Sequence, residues 1–179
     1  MKPNTRFFLI LPVLFLIPNI ILPIYYESKL PSTVAIHYDI NGDADRYGNK
    51  TTLFYIHLAV AIVSILIFYS TIACVSKCPA SSLNVPNREY WATSEMRPVL
   101  VEKTIPFISI IYSFIEVLDF CIFLIVYRSN VIDAKKLEGF WSIYIIISVF
   151  FVLIIIFSIR FKKSFKKIDS QPLSQRDDW

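Results

Sequence analysis

Apolar residues along this chain gather into four long runs that are separated by polar loops. The runs cover residues 7–26, 53–75, 105–127 and 140–159. A helix needs about 20 predominantly apolar residues to cross the hydrocarbon core of a bilayer, and each run meets that length. The pattern therefore predicts an all-α membrane protein with four transmembrane helices.

Composition strengthens this prediction. Of the 179 residues, 55% are hydrophobic and only 18% are charged, whereas a soluble domain carries about 25% charged residues. This composition excludes a disordered chain, a collagen-like chain and an ordinary cytosolic enzyme. The residues outside the four runs are too few for a separate catalytic domain, so we expect a single integral membrane domain over residues 1–179.

The first run follows Lys2 and Arg6, which is how a signal peptide starts. The run is too long for one, however, and no small-x-small cleavage site follows it. Pro12, Pro18 and Pro23 recur inside it. Prolines are tolerated in a spanning helix when neighbours bond the carbonyls that they free, so we expect a kinked helix that stays in the membrane.

The distribution of Lys and Arg predicts the orientation. The two tails and the middle loop (76–104) carry twelve of these residues, whereas the loops 27–52 and 128–139 carry six. Because cytoplasmic segments are enriched in Lys and Arg, both termini are predicted to be cytoplasmic and the loop 27–52 extracellular, in a multi-pass protein of the cell membrane. The basic run Arg160–Lys167 then favours an anchor on anionic lipid rather than nucleic-acid binding.

The extracellular loop has the features of a folded cap. Val34–Tyr38 alternates as a short strand does, and Asn41-Gly42 predicts a tight turn. We take its polar and turn residues as a candidate ligand-recognition loop: His37, Asp39, Asn41, Gly42, Asp45, Tyr47 and Lys50.

A calcium-binding EF-hand does not fit this loop. Its Asp and Asn spacing matches the start of the template, but Lys50 stands where a bidentate Glu is required. A looser divalent-ion site formed by His37, Asp39 and Asp45 stays open. The alternative is that these side chains cap turns and pair with Arg46 and Lys50.

The same loop resembles the signature of domain-of-unknown-function family 1648. Leu30-Pro31 precedes His37, and the closing residues are Asn49-Lys50, with the aspartates, Gly42 and Tyr47 between them. The resemblance implies a small four-span bacterial membrane protein. The same domain opens membrane immunity proteins that protect cells against a sporulation-delaying toxin, although their additional spans have no counterpart in this sequence.

The middle loop carries a second motif similar to that of short family members, and we take it as a cytoplasmic recognition element: Pro86, Asn87, Arg88, Glu89, Tyr90 and Trp91. Asn87 is expected to cap a short helix, because Asn is a favoured N-cap residue. Tyr90 and Trp91 are expected at the level of the lipid headgroups, where amphipathic rings are favoured.

Polar side chains inside the predicted spans form the third candidate site. Glu116 and Asp119 lie three residues apart and so share one face of the third helix. A charged group near the bilayer centre costs a few kcal/mol, so this face should point into the bundle. His57 lies at a depth similar to that of Asp119, and we expect the two to pair. The pair is either a polar clasp between helices, a ligand or signalling site, or part of a transport path.

No catalytic or cofactor-binding motif stands out, so we expect a non-enzyme without a cofactor. Taken with the resemblance, the sequence favours a toxin-immunity or signal-relay protein whose partners are the lipid bilayer and a peptide toxin or another membrane protein. Two alternatives stay open: a small proton- or ion-coupled transporter that uses the intramembrane carboxylates, and an accessory subunit of a larger membrane complex.

Overall fold

A computed structural model of the chain describes residues 3–165 and is mostly helical. Its elements follow in the order α1 (Pro3–Tyr26), β1 (Thr33–Tyr38), β2 (Ala44–Asn49), α2 (Lys50–Lys77), a 3₁₀ turn (Ala80–Ser82), α3 (Arg88–Trp91), α4 (Arg97–Val131) and α5 (Phe140–Ser164). Four helices, α1, α2, α4 and α5, are long and apolar enough to cross a membrane, as predicted. Each contains one of the four apolar runs.

The helices extend beyond the apolar runs because hydrogen bonding continues into polar sequence. The largest extension is in α4, which begins at Arg97 instead of residue 105. At about 1.5 Å of rise per residue, its 35 residues are about 52 Å long, against about 30 Å for a hydrocarbon core. The start of α2 is fixed by Asn49, whose side chain accepts a hydrogen bond from the Thr51 amide at 2.9 Å.

α1, α2 and α4 pack against one another as a three-helix bundle, and α5 packs against α4 beside this bundle. Among the described residues, α5 contributes none that is buried. The outer surface of the bundle is apolar, while several polar side chains lie inside it. That arrangement suits a protein surrounded by lipid, where apolar side chains face outward and polar groups must find partners within the protein.

The loop between α1 and α2 folds as a β-hairpin. β1 and β2 are antiparallel, with Thr33 opposite Asn49 and Tyr38 opposite Ala44, and irregular pairing around His37. The loop between α4 and α5 adds to the tip of this hairpin. The Ala44 amide donates to the carbonyl of Lys135 at 2.8 Å, and the Leu137 amide donates to the carbonyl of Gly42 at 2.7 Å. We call this end of the molecule the hairpin end, and the other the far end.

α1 runs through Pro12, Pro18 and Pro23 without interruption. Pro12 has no amide hydrogen to bond the carbonyl of Phe8, four residues earlier. The Ser109 hydroxyl of α4 donates to that carbonyl instead. One turn of α1 is therefore held by a neighbouring helix, and this bond ties α1 to the polar face of α4.

Candidate functional site

The predicted ligand residues of the hairpin fall into two groups: some are exposed at its surface, and the others hold the fold of the loop. His37, Asn41, Asp45 and Tyr47 are exposed at the surface. His37 Nδ1 lies 2.6 Å from Asp45 Oδ1, which joins β1 to β2 through a histidine–carboxylate pair. An exposed imidazole beside a carboxylate offers a hydrogen-bond donor and an acceptor to a polar ligand.

The remaining predicted ligand residues shape the cap. Asp39 Oδ1 accepts the amides of Asn41 and Asp43, both at 2.8 Å, and closes the turn. These backbone bonds, above all the one from Asp43, lower the pKa of Asp39 below its usual value. Lys50 Nζ donates to the carbonyl of Glu27 just beyond α1 at 2.7 Å. Gly42 has a φ of +82°, and its Cα lies against the Phe140 ring.

The structure does not assemble the divalent-ion site that the sequence left open. His37 pairs with Asp45, whereas Asp39 is engaged by backbone amides of its own turn. Within residues 3–165 no group of three or more His, Cys, Asp or Glu side chains is placed to hold a metal ion. The alternative was right about the turn cap but wrong about the partner of Asp45, which is His37.

Asn130, near the end of α4, joins the hairpin to the helical bundle. Its Oδ1 accepts the Ala35 amide at 2.6 Å, and its Nδ2 donates to the Ala35 carbonyl at 3.0 Å. The amide side chain thus bonds β1 as a neighbouring strand would. Tyr38 lies beside it, with its hydroxyl 3.4 Å from Asn130 Nδ2, and burial raises the pKa of Tyr38 to about 12. The hairpin is therefore attached to α4 through buried hydrogen bonds.

The second candidate site is a buried polar network between α1, α2 and α4. Glu116 has no exposed surface. Its Oε2 accepts the side-chain amide of Asn19 at 3.0 Å, and its Oε1 accepts the hydroxyl of Ser64. Both oxygens of a mid-helix carboxylate are thus bonded by neutral side chains from two other helices, which is how such a group can be held within a bundle.

His57 extends this network toward the hairpin end. Its Nε2 lies 3.1 Å from Asn19 Oδ1, and its Nδ1 lies 3.1 Å from the Tyr127 hydroxyl. Because Asn19 uses its amide nitrogen to reach Glu116, its oxygen faces His57, and the tautomer with a hydrogen on Nε2 completes this bond. The ring also stacks on Phe123, with the centroids 4.1 Å apart. These contacts fix the orientation of the imidazole.

Asp119 lies beside His57 as expected, with 3.5 Å between Asp119 Oδ2 and His57 Nε2. That distance is long for a hydrogen bond, and Oδ2 is buried with no hydrogen-bond partner among the described residues. The network therefore contains one carboxylate oxygen whose bonding capacity is unused.

Four residues of these two sites were missed by the sequence analysis: Asn19, Ser64, Tyr127 and Asn130. A polar side chain within an apolar run was the available signal for Asn19 and Ser64. Their partners lie on other helices, from 38 to 97 residues away, so spacing along the chain does not identify them.

The middle-loop motif folds differently from the prediction. Trp91 was expected at the headgroup level, but only 2% of it is exposed, and its ring packs edge-on against Phe165 of the segment after α5. Trp91 therefore belongs to a small core at the far end, and its depth relative to the lipid headgroups stays a prediction. Tyr90 is half-buried beside it, and Arg88 and Glu89 are exposed in an open cleft of about 740 Å³.

The short helix α3 forms where expected, but Asn87 does not cap it with its side chain. Asn87 adopts a left-handed conformation with a φ of 56°, and its carbonyl accepts the amides of Tyr90 and Trp91. Pro86 precedes it in the loop. Arg97 of the same region donates to the carbonyls of Val75 and Cys78 at 3.0 and 2.8 Å, which provides partners for two carbonyls where α2 ends.

Residues 13–61 match the family described as Domain of unknown function (DUF1648). The match confirms the predicted resemblance over about a quarter of the chain: the later part of α1, the whole hairpin and the first part of α2. It does not extend to the middle-loop motif, whose similarity stays a prediction. No curated protein and no solved structure matches the chain.

Proposed function

We propose that this chain is a multi-pass protein of the cell membrane that recognises a ligand at the hairpin, which faces the outside. The excess of Lys and Arg in the tails and the middle loop supports cytoplasmic termini. The basic run Arg160–Lys167 begins in the last turns of α5, and its Lys166 and Lys167 lie outside the described residues. The exposed pair His37 and Asp45 supplies the polar groups for recognition.

Within this proposal the protein is a non-enzyme that acts in toxin immunity or signal relay. The observation that carries it is the bonding of Asn130 to β1, because these buried hydrogen bonds attach the exposed hairpin directly to a membrane-spanning helix. A ligand that binds the hairpin therefore acts on a segment attached directly to α4. The resemblance to the domain that opens toxin-immunity membrane proteins supports the same conclusion.

A challenge of expressing cells with membrane-active peptide toxins tests this function. The unaltered chain is compared with the pair His37→Ala/Asp45→Ala and with the pair Glu116→Gln/Asp119→Asn, after surface labelling shows equal amounts in the membrane. We expect protection that is lost with the hairpin pair and kept with the carboxylate pair. If the unaltered chain gives no protection against any toxin tried, the immunity proposal fails.

A small proton- or ion-coupled transporter is the second candidate, and the unpartnered Asp119 Oδ2 is the observation that favours it. A transported proton or cation needs a buried acceptor with unused bonding capacity, and this oxygen has it. Reconstituted vesicles loaded with a pH-sensitive dye would then show flux that Asp119→Asn abolishes and Asp45→Ala leaves unchanged.

An accessory subunit is the third candidate. It is favoured by α5, of which no described residue is buried, so that a larger membrane partner has an apolar helix available. Crosslinking from Val149→Cys in whole cells distinguishes this candidate. A single crosslinked protein partner, found when no toxin is added and no ion flux is detected, supports the accessory-subunit candidate. Crosslinks to lipid alone count against it.

A further inference from the structure

The turn of the hairpin carries an isoleucine that the described residues leave uncovered. Ile40 is 81% exposed, between the polar residues Asp39 and Asn41. Trp141, in the first turn of α5, is 76% exposed. Single exposed apolar residues are common on soluble proteins, but here the chain places two large ones at the same end of the bundle.

Two contacts fix Ile40 beside the start of α5. The Tyr144 hydroxyl donates to the carbonyl of Ile40 at 3.0 Å. Two residues further on, the Cα of Gly42 lies so close to the Phe140 ring that an added Cβ would be 2.7 Å from it. The hairpin turn therefore lies against the first turns of α5, at the point where that apolar helix begins.

Exposed aromatic side chains also lie near the hairpin ends of two other helices. Tyr25 lies at the end of α1 and Tyr55 in the second turn of α2, and both are exposed. Lys29 Nζ lies 3.4 Å from the centre of the Tyr25 ring, so a cation covers one face of that ring. Tyr and Trp concentrate where a membrane protein leaves the hydrocarbon core, so these rings indicate the boundary between lipid and water.

We propose that the hairpin tip inserts into this boundary, with Ile40 and Trp141 as apolar anchors in the headgroup–acyl region of the lipid. The occupant of the exposed surface is lipid because Ile40 lies beside the first turns of α5, the helix whose apolar side chains are exposed along its length. The proposal rests on the four helices crossing a bilayer and is independent of what ligand the hairpin binds. Lipid at the tip then adds to the protein contacts that already hold the hairpin, which come from α1, α2, Asn130 and the loop between α4 and α5.

Site-directed fluorescence in vesicles tests the insertion. The three native cysteines are replaced by serine, and Ile40→Cys is labelled with the environment-sensitive fluorophore NBD. The matched control is Arg46→Cys, which is also exposed and lies on β2. The proteins are reconstituted in phosphatidylcholine vesicles at about one copy per vesicle, without other proteins.

We expect nitroxide on the fifth acyl carbon of the lipid to quench the probe at position 40 at least threefold more than the probe at 46. Aqueous iodide should give the reverse order. Equal iodide quenching at both positions, without lipid quenching at 40, would overturn the proposal. Protection from iodide without lipid quenching would also overturn it, because protein rather than lipid would then cover Ile40.

A third probe separates this failure from a failure of the membrane topology. Val149 lies in the middle of α5 and is 53% exposed, so Val149→Cys reports whether α5 is in the hydrocarbon core. Deep nitroxide lipids should quench that probe whatever the hairpin does. If they quench position 149 and not position 40, the insertion is wrong and the membrane assignment stands.

Discussion

The bonding of Asn130 to β1 leads to the most quantitative prediction. Replacing Asn130 by alanine removes the acceptor for the Ala35 amide and the donor for the Ala35 carbonyl. Ala35 is only 2% exposed, so water cannot replace these partners while the hairpin stays docked. We therefore expect Asn130→Ala to favour opening of the hairpin.

The magnitude follows from two orphaned backbone groups. Each buried group left unsatisfied costs about 1–3 kcal/mol, so the pair costs at least about 2 kcal/mol. Alanine has a higher helix propensity than asparagine by about 0.5 kcal/mol, which offsets part of this loss because position 130 is within α4. The net loss of hairpin stability is then at least about 1.5 kcal/mol, or roughly tenfold in the opening equilibrium.

Hydrogen exchange read by mass spectrometry on protein in lipid nanodiscs measures this effect. The peptide that contains β1 should exchange at least tenfold faster in Asn130→Ala than in the unaltered chain. Asn41→Ala is the control, because its side chain is exposed and bonds only within its own turn. An acceleration below threefold in Asn130→Ala, or an equal one in the control, would refute the argument that Asn130 holds the hairpin to α4.

Three further predictions follow from the structure. Gly42→Ala should lower the melting temperature much more than Gly48→Ala. Gly42 has a φ of +82° and its added Cβ would meet the Phe140 ring, whereas the Cβ at Gly48 would meet the movable end of the Ile36 side chain. Equal losses in melting temperature would count against the close packing at Phe140. Asp39 has a lowered folded-state pKa, so its contribution to hairpin stability is full above about pH 4 and is lost as the pH falls from there through the folded value. In the unaltered chain, the NMR chemical shifts of the amides in the hairpin turn should change over this pH range. In Asp39→Asn this pH dependence should be absent. In a double-mutant cycle, Asn19→Ala and His57→Phe should show a coupling of about 0.6–1.7 kcal/mol, the range for interhelical hydrogen bonds, whereas Asn19→Ala and Thr71→Ala should be additive.

The four helices could be predicted because a long run of apolar residues is a local signal that can be recognised in the sequence without knowledge of the fold. Their ends could not. The predicted third span begins at residue 105, where the polar residues Glu102 and Lys103 precede it. In the structure α4 begins at Arg97, because a helix that emerges from lipid continues as long as its polar side chains can reach water or a neighbouring helix. Thr5, for example, donates to Glu102 at 3.2 Å.

β2 shows a different limit of sequence analysis. Its residues Ala44–Asn49 include Asp, Gly and Asn, which are depleted in strands, and only the turn before it could be predicted. It becomes a strand because β1 pairs with it and the loop after α4 bonds its first residue. A short strand of low propensity that depends on two other segments has no local signature.

The buried positions of Trp91 and of the Glu116 partners show the same limit at the level of side chains. The type of residue was visible in each case, but the ring or amide that it contacts comes from a distant part of the chain. Phe165, which covers Trp91, lies 74 positions later. Depth in the membrane was a better guide, because it restricts which residues on different helices can meet. The similar depth of His57 and Asp119 led us to expect that they lie close together, and His57 Nε2 lies 3.5 Å from Asp119 Oδ2.

The positions of these contacts along α4 restrict the path that the proposed relay from the hairpin could take. Arg97 bonds the end of α2, Glu116 bonds α1 and α2, and Asn130 bonds the hairpin, so one helix is held at both ends and in the middle. Sliding α4 along its axis would break the Glu116 bonds and leave polar groups unsatisfied in an apolar surrounding, at a cost of several kcal/mol. Under the proposed topology, release of Asn130 from Ala35 would cost less, because water outside the membrane would bond the freed groups. A ligand that favours an undocked hairpin can therefore act through that release while the bundle stays fixed. For this reason, a relay through this protein should change hydrogen exchange in β1 and in the last turn of α4 before it changes exchange around Glu116.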